Sequence, residues 1–168
     1  MARKKAPKPV VGWREWIAIP SLGVPAIKAK IDTGARSSSL HAFDMKVSEG
    51  HGGAVVSFSI HPMQKTTQPT VEAQMPLLEK RWVRSSSGHR TLRPVVMMPI
   101  QLHGMVFDIE VTLTRRDAMG FRMLLGRQAL RKRFLVDPGK SYLAGRGPLS
   151  VRKRNESTAS ERHRKGTK

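Results

Sequence analysis

The chain has 168 residues, with 31 Lys+Arg against 12 Asp+Glu, a formal net charge of +19 and no cysteine. That length suits one domain with tails, large enough to bury a core unaided. The missing cysteines exclude disulfides, thiolate nucleophiles and Cys-based zinc sites, and fit a reducing compartment.

No run nears the roughly 18 apolar residues of a membrane span, so no membrane association is expected. The basic start Met1–Pro9 leads into no apolar stretch. A secretory signal is therefore not expected, and a cytoplasmic protein is. Residues 1–9 hold four basic groups and no acid, and residues 145–168 hold eight basic and two acidic groups. This uneven charge divides the chain into a disordered basic arm over 1–10, a folded domain over 11–144 and a disordered basic tail over 145–168. Such tails either attract a polyanion, such as RNA, a ribosome or an acidic peptide, or only solubilise the chain.

In chain order, Trp16–Ile19 reads as a strand running into a turn at Pro20–Gly23. Ala26–Ile31 alternates, with Lys28 and Lys30 opposite Ile27, Ala29 and Ile31. Ala54–Ile60 alternates around Val56, Phe58 and Ile60, and Val71–Met75 is a shorter candidate. Arg81–Val83 and Thr91–Arg93 flank Ser85, Ser86, Ser87, Gly88 and His89, a hairpin with a small polar tip. Val95–Leu102 and Val106–Leu113 form a second hairpin about His103-Gly104. Gly126–Arg133 is the one convincing helix, being rich in helix formers. Phe134–Val136 and Tyr142-Leu143 flank a turn at Asp137–Lys140. Many short strands with one small helix predict an all-β fold, a compact closed barrel.

The six histidines show no helical zinc-ligand spacing, and there is no phosphate-binding Gly-Lys loop and no Gly-x-Ser-x-Gly elbow. Metal and cofactor sites are therefore not expected. Ser37, Ser38 and Ser39 lack an evident base. Met97, Met98, Met105, Met119 and Met123 read as core filler, and Trp13, Trp16 and Trp82 are too dispersed for a base-stacking platform.

Asp32-Thr33-Gly34-Ala35 remains, after an alternating strand and before a polar run. The Asp carboxylate can activate water, Gly34 permits a tight turn and close approach of a ligand, and the Thr33 hydroxyl can hold the loop. Alternatively, these residues form an ordinary turn after a strand. Hydrolysis of a peptide bond in this way uses two carboxyls sharing one proton. The chain offers one such motif, since Asp44, Asp108, Asp117 and Asp137 lack a following Thr/Ser-Gly. The second carboxylate would then come from another copy, in a homodimer.

Four segments in order carry a closer likeness: Ala29–Ala35, Val83–Gly88, Arg93–Val96 and Met123–Leu130. The chain resembles the bacterial retropepsin-like aspartic peptidases catalogued as ATP-dependent zinc proteases. The resemblance implies a retropepsin-like closed barrel with a short C-terminal helix. It implies aspartic endopeptidase activity on peptide or protein substrates. It also implies association with an ATP-grasp ligase that adds glutamates to a ribosomal protein. By resemblance Asp32, Thr33 and Gly34 are catalytic. Ala35, Arg36, Ser85, Ser86, Ser87, Gly88, His89, Leu125, Gly126 and Arg127 bind substrate or support the site, with 85–89 as a flap. One departure is Arg36, which stands where retroviral enzymes have an Asp paired with the Arg after the late Gly. Arg127 is therefore expected to lack that partner. Arg36, Arg84, Arg90 and Arg93 suggest a preference for acidic, glutamate-rich peptides, or are ordinary solvated strand residues. Two other readings stand beside the peptidase. One is a non-catalytic basic barrel binding RNA, a ribosome or an acidic protein. The other is a metal-dependent hydrolase.

Overall fold

The computed structural model describes residues 6–64, 66–85, 87–115 and 120–154. Ser86, Met119, and the ends of both expected tails lie outside the described residues. In chain order come β1 (Val10–Gly12), β2 (Arg14–Ile19), a 3-10 turn at Pro20–Leu22, β3 (Val24–Asp32), β4 (Ser38–His41), β5 (Phe43–Gly50), β6 (Gly53–Ile60) and β7 (Val71–Pro76). They are followed by β8 (Glu79–Arg84), β9 (Arg90–Leu102), β10 (Met105–Thr114), β11 (Met123–Gly126), α1 (Arg127–Leu130) and β12 (Leu135–Asp137). The all-β expectation holds.

The main sheet runs β10-β4-β11-β3-β2-β9-β8, and β9 also pairs with β10. That extra pairing closes six strands into a barrel and leaves β8 outside as the outer arm of a hairpin. Closure removes the exposed edges an open sheet would carry. β5, β6 and β7 form a separate three-stranded sheet, and β1 pairs in parallel with β12.

Alternation explains the core. On β3, Ile27, Ala29 and Ile31 are buried while Lys30 is exposed, since successive side chains leave a strand on opposite faces. Leu40, Val96, Met98, Ile100, Leu102, Val111, Leu113, Met123 and Leu125 complete the packed interior. β9 and β10 meet at His103-Gly104, both with positive φ (55° and 75°), the geometry of a two-residue turn matching strand twist.

The structure corrects several expectations. Thr91–Arg93 and Val95–Leu102 belong to one strand, β9, because Pro94 pairs with Lys80 without ending the ladder. The Ser-rich run is β4, paired with both β10 and β11. The helix is only Arg127–Leu130, since Lys132 takes a positive φ of 69°. Tyr142-Leu143 is not a strand. Met97 and Met105 are exposed rather than core.

Packing also continues past 144. Buried Glu15 accepts hydrogen bonds from Gly12 N (2.6 Å), Leu143 N (2.9 Å) and Ala144 N (3.1 Å). Gly147 lies so close to Trp16 that a Cβ there would stand 2.7 Å from the ring, and residues 149–154 are helical. Among the described residues no helix is long and apolar enough to cross a membrane.

Candidate active site

β3 ends at Asp32, where the chain leaves the barrel through a turn at Thr33-Gly34. The Asp32 side chain folds back on this turn. Its Oδ1 accepts hydrogen bonds from Gly34 N and Ala35 N, both at 3.1 Å. This is the local bonding that favours Asp at turns. Oδ2 has no partner among the described residues. Asp32 is partly buried, and Thr33, Gly34 and Arg36 are exposed.

The loop is held from below by β11 and α1. β11 lies parallel to β3, with Leu125 beside Ile31 and Gly126 beside Asp32. Gly126 N donates to buried Ser38 Oγ at 3.1 Å, Arg127 N to Ala35 O at 2.7 Å and Gln128 N to Arg36 O at 3.0 Å. A Cβ on Gly126 would stand 2.4 Å from the carbonyl carbon and oxygen of Ser37, so only glycine admits this approach. The Arg127 guanidinium donates to Thr33 O at 3.0 Å and Gly34 O at 3.5 Å. Among the described residues Arg127 has no carboxylate partner and is held by loop carbonyls instead. Leu125 and Gly126 are fully covered. Within this chain they lie behind the loop and support it rather than face solvent.

The hairpin tip forms as expected. Ser85 N donates to His89 O (2.8 Å), Gly88 N to Ser85 O (2.9 Å), and the Ser85 and Ser87 hydroxyls lie 2.8 Å apart. Gly88 takes a φ of 85°, which a side chain would resist. None of Ser85, Ser87, Gly88 or His89 hydrogen-bonds to the Asp32 loop. The tip and the loop are separate within one chain, since β2 and β9 lie between β3 and β8.

One face of the hairpin pairs Trp82 with Leu92 and Arg84 with Arg90. Trp82 and Leu92 are 58% and 47% exposed, and the Arg90 guanidinium sits 5.6 Å over the Trp82 ring. Arg93 does not join this basic face. It is buried, with its Nε donating to Thr91 Oγ1 at 2.8 Å. On the opposite side Arg81 bridges Glu79 and Glu110. Sequence reasoning missed Ser38 and Glu15 as supports, because their partners lie 88 and up to 129 residues away.

A barrel that places one Asp-Thr-Gly loop over a Gly-bearing strand, and carries an outer hairpin, defines the class of retropepsin-like folds. The sequence model of the RimB-like family, described as "Retropepsin-like aspartic endopeptidase RimB", matches residues 10–147, and the chain belongs to that family. Two curated relatives are each named "Probable alpha-L-glutamate ligase". The one from Desulfotalea psychrophila is 41% identical over 95% of this chain, and the one from Shewanella pealeana is 43% identical over 84%. The chain spans only about a third of their length, 34% and 31%. A crystal structure of a Legionella pneumophila protein of unknown function matches with a TM-score of 0.66 at 28% identity. It covers 81% of this chain and 98% of that one. A zinc site would need converging donors, and among the described residues no three His, Asp or Glu side chains are placed to hold a metal. The described residues do not fit one.

Proposed function

We propose that this chain is one half of an aspartic endopeptidase, a homodimer in which the two Asp32 carboxyls meet across a two-fold axis. The observation that carries this reading is the Asp32 geometry. Oδ1 is tied to two backbone N–H groups while Oδ2, at a part-exposed strand end, has no partner among the described residues. Two such groups brought together cannot both ionise, so the pair holds one proton. The ionised Asp32 takes a proton from water as the water oxygen bonds to the peptide carbonyl carbon. The protonated mate gives its proton to the carbonyl oxygen. The resulting diol collapses as the now ionised mate takes a proton from one of its hydroxyls, the C–N bond breaks, and the nitrogen leaves with the proton held by the other Asp32, which restores the one-proton pair. Thr33, exposed beside Asp32, would bond across the dimer, and the 85–89 hairpins would close over the bound peptide.

Acidic, glutamate-rich peptides are the proposed substrates. Exposed Arg36, Arg84 and Arg90 support this preference, as do the ligase names of the relatives, which add a functional link to glutamate. In this reading the chain corresponds to a peptidase module beside a glutamate ligase, with a glutamylated ribosomal protein as partner.

The test is Asp32→Asn in purified protein. The variant should fold and dimerise yet cleave no glutamate-rich peptide. Mixed in equal amounts with wild type, it should leave about a quarter of the activity, because only homodimers of wild type carry the proton-sharing pair. Retention of half would point to an independent monomeric site. The net charge of +19 favours one second reading, a basic module binding RNA or a ribosome. Steeply salt-dependent RNA binding in the absence of any cleavage would support it instead.

A further inference from the structure

A cavity of about 330 Å³ opens where the barrel meets the three-stranded sheet. His41, Phe43, His61, Thr67, Arg115 and Arg122 line it. Five of these six side chains carry hydrogen-bond donors, two are guanidiniums, and none is acidic. The volume sits at the small end of ligand pockets, which run from about 300 Å³.

The residues arrive from five separate stretches of chain. His41 ends β4, and Arg122 immediately precedes β11. Pairing of Leu40 with Met123, and a His41 N to Arg122 O bond of 2.8 Å, hold these two side by side. Phe43 opens β5, and its ring lies 4.4 Å from that of His61, just past β6. Thr70 Oγ1 is 3.4 Å from His61 Nδ1. Arg122 is further anchored by its Nε on Met63 O at 3.4 Å. His41 itself is buried.

Arg122 places positive charge beside His61. Burial, and next the nearby Arg122 charge, hold His61 below the ordinary histidine value, against a raising bond to Pro69. The pocket is also distinct from the Asp32 loop. His41 and Ser38 are opposite ends of β4, roughly 10 Å apart at the usual strand rise.

We propose that this pocket binds a compact phosphoryl-type oxyanion, with Arg115 and Arg122 as charge-assisted donors and His41, His61 and Thr67 closing around it. Guanidinium forks match phosphate geometry. Donors converging from several directions suit a tetrahedral group better than a flat carboxylate.

The test is titration of the full chain with inorganic phosphate, and separately with succinate, at a constant ionic strength of about 0.15 M. Binding is read from the ring resonances of His41 and His61. Phosphate should shift both saturably, and succinate should not. Arg122→Gln should weaken phosphate binding about tenfold or more, the weight of one charge-assisted bond, while Lys80→Gln on the outer hairpin should leave it unchanged. If Arg122→Gln proves unfolded, His61→Asn should produce the same weakening with the guanidinium intact. Three results would overturn the proposal: shifts that stay linear in phosphate, shifts equal in all variants as expected of ions around a +19 chain, or succinate matching phosphate. The readout is independent of cleavage, so it stands or falls separately from Asp32.

Discussion

Substituting Gly126 by Ala probes how the Asp32 loop is supported. The added Cβ would stand 2.4 Å from the carbonyl carbon and oxygen of Ser37 and 3.0 Å from Arg36 O. Such contacts settle near ~3.5–4.0 Å, and all three atoms are backbone, so no side-chain rotation relieves them. Overpacking of this kind costs about 1–3 kcal/mol. Withdrawal of residues 36–38 would also stretch the bonds from Gly126 N to Ser38 Oγ, Arg127 N to Ala35 O and Gln128 N to Arg36 O. Losing one or two adds about 1–3 kcal/mol. The total is about 2–6 kcal/mol, and at roughly 2–4 °C per kcal/mol for a chain of this size Tm should fall by roughly 4–24 °C. Calorimetry, with peptide cleavage measured below the new Tm, gives the comparison. The folded fraction should be nearly inactive, because the displaced segment continues directly into the Asp32 turn. Wild-type Tm together with wild-type cleavage would refute the account of Gly126 as the floor of the site.

Three further outcomes follow from other contacts. Glu15→Ala leaves one buried and two part-buried N–H groups without their acceptor and should cost about 2–4 kcal/mol. Urea unfolding measures this, and hydrogen exchange should quicken first at Leu143 and Ala144. Arg127→Lys removes the fork that holds Thr33 O and Gly34 O. Being exposed, it should change stability by less than about 1 kcal/mol while lowering kcat about tenfold through a looser loop, so an unchanged kcat would count against the clamp. His61 has a folded value below its unfolded one, so the unfolded state binds the proton more readily. Its contribution should therefore weaken stability as pH falls through the unfolded value, near 6.5, and level off below the folded one. Denaturation midpoints of His61→Asn against wild type between about pH 7.5 and 5 should show a shallower pH slope in the variant, and parallel slopes would contradict the assignment.

Short-range patterning made much of this molecule readable. Alternation located most of β3, β6, β9 and β10, because a strand with one buried face must repeat every second residue. The His103-Gly104 and Ser85–His89 turns, and the Asp32-Thr33-Gly34 loop, were legible for the same reason, since their geometry depends on neighbours a few residues apart. Pro94 misled, because a proline within an alternating run reads as a break, yet it sits where the β8–β9 ladder tolerates it.

Tertiary structure alone decided what holds the site. Ser38–His41 has little strand signature and becomes β4 only because β10 and β11 lie on either side of it. The carboxylate of Glu15 reads as a solvated strand residue until the 143–144 segment folds over it. Arg127 reaches the carbonyls of Thr33 and Gly34 only because β11 and α1 pack under the Asp32 loop. Each of these depends on contacts between residues about 70 or more apart in sequence, and the free energy of such contacts exists only once the barrel closes. Asp32 and its turn are thus a property of the local sequence, whereas the floor beneath them is a property of the fold.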